Sequence, residues 1–173
     1  MSIKMQTGFL LAALTLAVTA ASAQDLPRKV ENVTLTDLQK NSTGLPCFGE
    51  KNLMIFYLDS EARKQNEDFT YEIEEKQLAN GSNIFGFGII NTKDSFWSTG
   101  LIRMGARKRT KNNGGTVLID DNLILAKTWN LGDCDNQFVL LFVNKAGELV
   151  FMRKGELTAQ DKEEFYKIID QYK

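Results

Sequence analysis

Two cysteines, Cys47 and Cys134, and the lack of any histidine bound the chemistry open to this chain. A thiol does nucleophilic or redox work as the thiolate. It ionises near neutrality at a helix N-terminus, beside a cation, or in a Cys-x-x-Cys pair. These two cysteines lie 87 positions apart, so they form no such motif. Three readings stand: a redox pair or one reactive thiol, a structural disulfide, or two unlinked cysteines. A bridge across that loop would be worth roughly 4 kcal/mol in the chain-entropy picture. Without histidine, the usual general base, the Ser–His and Cys–His pairs and the commonest metal ligand are all missing. Two cysteines then make a poor start for a zinc site. The expectation is no metal and no cofactor.

The next group that could do chemistry is basic. Arg103, Arg107, Lys108, Arg109 and Lys111 place five positive charges in nine residues. Such a run could hold an anion or an acidic partner, but charge runs are commonly one solvated helix face followed by a turn, and that plainer reading is preferred. Trp97, with Phe96, stands beside the polar stretch Asn91 to Asp94. Together with Ser60 and Arg63 these residues mark a candidate binding surface, although aromatics at this spacing more often belong to a core. The Gly86-x-Gly88 pair is no dinucleotide fingerprint, because it lies inside an apolar run and lacks the third glycine. Asp120-Asp121-Asn122 lacks the calcium-loop pattern and its closing Glu, and reads as a turn between a strand and a helix.

Elements that could position these groups follow from periodicity. The polar lead Gln24 to Asn32 reads as loose, Val33 to Leu38 as a short strand, and Asn41 to Lys51 as turns. Asn52 to Leu58 (NLMIFYL) is a continuous apolar run, as in a strand covered on both faces. A helix is expected from about Ala62 to Leu78, capped by Asp59 or Ser60 and ended by Asn80-Gly81-Ser82. Asn83 to Asn91 is a second buried strand, whose two glycines suggest a neighbouring element in close approach. Asp94 to Thr110 is expected as a helix with Phe96, Ile102 and Met104 turned inward. Val117 to Ile119 is a strand, and Leu123 to Leu131 forms a turn or two of helix. Phe138 to Val143 and Glu148 to Arg153 make a hairpin around Gly147. Thr158 and Asp161 resemble a capping box for a last helix, with Phe165, Ile168, Ile169 and Tyr172 on one face. Buried parallel-type strands with crossover helices, then a hairpin and a closing helix, predict an α/β three-layer sandwich around a mixed sheet.

The first residues carry a different signal. Lys4, the apolar run Gly8 to Ala20 and the small-x-small step Ala21-Ser22-Ala23 form a secretory signal peptide over residues 1–23. The apolar run is too short to span a bilayer, which takes roughly 20 residues. Removing it leaves 150 residues from Gln24 to Lys173, enough for one domain. Only Lys4 leaves with it, so 22 acids face 20 Lys and Arg, a net charge of −2. That balance argues against nucleic acid as a partner. The expected location is periplasmic or secreted, with no membrane span after cleavage. Export favours a disulfide. The predicted topology opposes it: Cys47 precedes a parallel strand and Cys134 an antiparallel one, so they should sit at opposite ends of the sheet. Unlinked thiols are therefore preferred.

The stretch VLIDDNLILAKTWNLGD, then QFVLLFVNKAGELVFMRKGELT, resembles the second half of exported proteins with a thioredoxin-like fold. Trp129 with Leu131, the turn Lys145 to Gly147, and Lys154 to Thr158 resemble the YtfJ family of exported bacterial proteins. The resemblance runs from about Lys51 to the C-terminus. It implies a thioredoxin-like fold and a periplasmic address. It carries no catalytic residue across, and some family members bear a transcriptional-regulator label. Redox proteins of that fold set Cys-x-x-Cys after the first buried parallel strand. Here that place reads Asp59-Ser60-Glu61-Ala62-Arg63-Lys64. They also set a cis-proline before the hairpin strand, where this chain has Asn136-Gln137. Both requirements fail. The leading expectation is therefore a non-enzymatic envelope protein that binds an unknown protein or small molecule. A thiol-disulfide or peroxide redox protein using Cys134 or Cys47 is the alternative. A regulator binding an anion through Arg103, Arg107 and Arg109 is a further one.

Overall fold

The computed structural model describes residues 26–78, 83–93 and 95–173. The signal peptide over residues 1–23, the helix stop at Asn80-Gly81-Ser82, and Asp94 lie outside them. Along the described residues run β1 (Arg28–Lys29), β2 (Leu35–Asp37), β3 (Ser42–Thr43), β4 (Asn52–Asp59), α1 (Glu67–Glu75), β5 (Ile84–Asn91), α2 (Thr99–Asn113), β6 (Val117–Asp120), α3 (Ile124–Thr128), β7 (Phe138–Val143), β8 (Glu148–Lys154) and α4 (Ala159–Tyr172).

The apolar runs become the centre of one eight-stranded sheet in the order β1-β8-β7-β4-β5-β6-β2-β3. β4 pairs parallel with β5 and antiparallel with β7, and β5 pairs parallel with β6. Right-handed crossovers from β4 to β5 and from β5 to β6 put α1 and α2 on the same face. α4 joins α1 there. Phe69, Ile73, Phe165 and Ile169 cover Met54, Phe56, Leu140 and Phe142. On the other face, α3 and the chain before β4 bury Val33, Leu35, Leu45, Leu125 and Trp129 against Ile55, Tyr57, Ile89 and Leu141. The result is the three-layer α/β sandwich expected. The capping box forms as read, Thr158 taking Asp161 N while the Asp161 side chain takes Thr158 N. Gly147 turns the β7–β8 hairpin at φ 76°.

Four local expectations need correction. The polar lead is not loose: β1 adds to the free edge of β8, and Trp129 Nε1 donates to Glu31 O at 2.8 Å. The turn-rich segment before β4 likewise contributes β3 to the edge of β2. The first helix starts at Glu67 rather than Ala62, because Asn66 takes a left-handed φ of 58°. Its side chain is committed to another loop, donating to Gly155 O at 2.9 Å and accepting from Leu157 N at 2.8 Å. The second helix is also displaced, beginning at Thr99 with Ser98 as its cap.

Phe96 and Met104, expected inside, are 89% and 61% exposed. Arg103 takes the inward position instead and is 5% exposed. Its guanidinium donates to Asp37 O and, at 2.6 Å, to Thr36 Oγ1. One turn on, Arg107 donates to Leu38 O. Two residues of the basic run thus hold the end of β2 through its carbonyls, which orients the whole helix and turns Met104 away. The solvated-face reading holds for Lys108, Arg109 and Lys111 and fails for Arg103. We expect Arg103→Ala to cost about 2–3 kcal/mol in urea unfolding, because it leaves buried acceptors unpaired. A loss within experimental scatter would mean that β2 does not depend on this anchor.

Candidate functional site

Three parallel strands end level with one another, and each ends in a polar residue. Asp59 of β4 is in register with Asn91 of β5, which is in register with Asp120 of β6. They are 2%, 3% and 0% exposed. Buried polar groups of this kind must find partners, and these do. Asn91 Nδ2 donates to Asp59 Oδ2 at 3.1 Å, while Asn91 Oδ1 accepts from Lys93 N at 3.0 Å. Asp120 accepts from Ile124 N at 2.7 Å, Leu125 N at 3.0 Å and Tyr57 Oη at 3.3 Å. It therefore caps α3, as the strand-to-helix turn reading requires. Burial, then the Asp120 carboxylate, raises Tyr57 well above the ordinary phenol range, so its hydroxyl stays a donor.

The same edge carries an outer ring of contacts. Glu61 accepts from Ser60 Oγ at 2.6 Å, Ser95 Oγ at 3.0 Å and Phe96 N at 2.9 Å. These bonds fasten the loop that displays Phe96 and Trp97, whose rings meet edge to face at 5.7 Å. Burial, and then the nearby Glu61 carboxylate, pushes Asp59 up to about 6. Hydrogen bonds from Asp59 and then Ser60 hold Glu61 down to about 2. Between about pH 2 and about pH 6 the pair therefore holds one proton, on Asp59, and one charge, on Glu61. This is a positioning arrangement, since the oxygens of Asp59 already face Asn91 Nδ2 and Glu61 N.

Cys47 and Cys134 are both free. The β4–β7 register, Leu53 opposite Val143 and Leu58 opposite Phe138, puts the chain before each strand at opposite ends of the sheet. That is the argument the sequence made against a bridge. Cys134 is 2% exposed, with its Sγ 3.5 Å from Gly132 O. Burial pushes its thiol up, against a smaller pull from Lys154. Cys47 is half-buried in the turn before β4. At the place of the expected cis-proline, Gln65 grips the backbone, donating to Asn136 O at 3.1 Å and accepting from Phe138 N at 3.0 Å. Among the described residues no group of three or more His, Cys, Asp or Glu could hold a metal ion.

Of the residues singled out in the sequence, Ser60, Arg63, Trp97 and Arg109 come together around one open groove of about 810 Å³ between α1 and α2. Asn91, Arg103 and Arg107 do not join them, because Asn91 and Arg103 are bonded inside the fold and Arg107, though exposed, is held by Leu38 O. Sequence reasoning missed the Asp59–Asn91–Asp120 row. The signal was there: each residue closes an apolar strand run.

Fold and site together define a thioredoxin-like domain without the Cys-x-x-Cys of its redox relatives. A DsbF homologue from Corynebacterium diphtheriae is similar at 17% identity over 91% of this chain and 97% of that one, TM-score 0.61. The pneumococcal exposed lipoprotein thioredoxin Etrx1 from Streptococcus pneumoniae is similar at 14% identity over 82% and 99%, TM-score 0.59. A peroxiredoxin-like protein from Aquifex aeolicus is similar at 10% identity over 83% and 86%, TM-score 0.57. Identities this low speak for fold alone. No curated protein sequence matches this one. The chain belongs to the YtfJ_HI0045 family, bacterial proteins of unknown function, which it matches over residues 57–172.

Asp59 binds its proton more tightly in the folded state than in the unfolded one. Its stabilising contribution is therefore complete below its ordinary 3.8 and lost as pH rises through about 6. Glu61 has the opposite sign, its contribution being lost as pH falls toward about 2. We expect the unfolding free energy to decline between these Asp59 limits by on the order of 2 kcal/mol, and Asp59→Asn to flatten that decline. Urea unfolding across pH checks it, and an unchanged slope in the variant would refute it.

Proposed function

We propose that this chain is an exported envelope protein that binds a partner or small molecule and does no thiol or other covalent chemistry. One observation carries the reading. The strand end where redox proteins of this fold present cysteines holds Asp59, bonded to Glu61 N and Asn91, and Ser60 and Glu61, which fasten the neighbouring loop at Ser95 and Phe96. The candidate surface is the groove edge at Ser60, Arg63, Trp97 and Arg109. The signal-peptide pattern over residues 1–23 supports export. No helix among the described residues is long and apolar enough to cross a membrane.

A redox function through Cys134 is the second reading, and the nearby Lys154 favours it. Its weakness is burial, which keeps the thiol protonated and away from a substrate disulfide. A regulator acting through the basic run keeps only Lys108 and Lys111 as free-facing charge, because Arg103 and Arg107 hold β2 and Arg109 is paired with Glu74.

The processed protein is expected to reduce insulin and consume peroxide at background rates, unchanged in Cys134→Ser and Cys47→Ser. A thiol count is expected to give two free thiols, with Cys134 reacting only after unfolding. Turnover that disappears in Cys134→Ser would overturn the reading. N-terminal analysis of the processed chain is expected to begin at Gln24, and an uncleaved Met1 would remove the export argument.

A further inference from the structure

On the face that carries α1, α2 and α4, the apolar side chains fall into two separate clusters. One lies under α1 and α4, and the other joins Leu38, Ala106 and Ile119 under α2. Between them β5 lays Gly86 and Gly88 along the floor of the groove, and α2 adds Gly105 to its wall. At Gly88 the sequence expectation of a close neighbour over the strand is not met. A Cβ on Gly88 would meet Val117 Cγ2 at 3.5 Å, an ordinary contact, and one on Gly105 would meet nothing within 4 Å. Glycine inside a strand or a helix weakens it. Here Gly88 and Gly105 keep one space open.

That space has two unlike ends. Toward the ends of the helices, Arg109 ties α2 to Glu74 of α1 at 3.2 Å and stacks on Tyr71. The charge there is neutralised. Toward the common strand edge stand Trp97 and Arg63, and Arg63 is exposed and makes no ion pair among the described residues. The walls between are mainly hydrocarbon, from residues such as Ile73, Ile90 and Ile102. A volume of about 810 Å³ falls within the range of ligand sites. Strongly polar molecules would lose hydration against such walls without repayment, while an uncharged one would leave Arg63 unused.

Building on the binding reading above, we infer that the groove holds a free long-chain fatty acid, its tail along the glycine floor and its carboxylate on Arg63. The carboxylate meets a guanidinium suited to it, and the tail fills the gap between the two clusters.

Palmitate is the probe, kept below its micelle concentration and added to the delipidated, processed protein. Trp97 lines the groove and Trp129 is buried on the opposite face, so tryptophan fluorescence reports occupancy. Saturable binding is expected. Arg63→Gln is expected to weaken palmitate by about tenfold while leaving hexadecanol unchanged. Gly88→Val is expected to abolish binding with an equal or higher unfolding midpoint, and Gly105→Leu, filling the space from the helix side, to do the same. Absence of saturable binding would overturn the inference, as would palmitate binding indifferent to Arg63→Gln or to both glycine variants. A native dimer dissociated by Gly88→Val would also overturn it, making a second copy the occupant. If the same sample shows insulin reduction only at background, such a failure leaves the binding reading standing. Turnover in that assay sinks the reading itself.

Discussion

β4 is the constraint on which the rest of the molecule depends. It is buried on both faces, pairs on both edges, and sends its side chains into both apolar layers. A strand in that position cannot end in open chain, because its last polar groups are still inside. Asp59 is therefore locked to Asn91 and to the backbone of Glu61, and its backbone N–H goes to Gln137 O at 3.0 Å. Burying those groups unpaired would cost more than a typical hydrogen bond returns, so the loops around the strand end are shaped to serve them.

That requirement accounts for the look of the edge. In this fold the ends of the parallel strands are where a site is expected, at the crevice outside their carboxyl ends. Here the innermost shell of that crevice is saturated. Asp120 is used up as the cap of α3, and Glu61 as the clasp of the Phe96–Trp97 loop. What faces outward is a displayed pair of aromatic rings, with the groove beside it.

Two departures from sequence expectation, the late helix start and the inward Arg103, share one cause. A helix start was placed at Ala62 because Asp59 and Ser60 are good caps, but both side chains are claimed elsewhere and the helix waits until Glu67. Apolarity predicts Phe96 and Met104 inward, but Arg103 wins the inward position, since β2 offers it the Asp37 carbonyl and the Thr36 hydroxyl, which no apolar residue could satisfy. The strand glycines suggest a close neighbour, but at Gly88 the space opens into the groove. The first two cases turn on partners distant in sequence, Asn91 for Asp59 and the end of β2 for Arg103.

What the sequence alone determined is the layered order. The doubly buried runs of β4 and β7, the hairpin at Gly147, the Thr158–Asp161 box and the absence of a Cys-x-x-Cys pair are local patterns, each legible within a few residues. Only the tertiary structure decided which polar side chains are free. Asn91 and Arg103 are spent inside the fold, Arg107 is held by Leu38 O and Arg109 by Glu74, whereas Arg63 and Trp97 are left at the groove. The physical reason is that a hydrogen-bond partner is chosen by proximity in space, and the separation from Arg103 to Asp37, or from Gln65 to Asn136, carries no periodic trace in the chain.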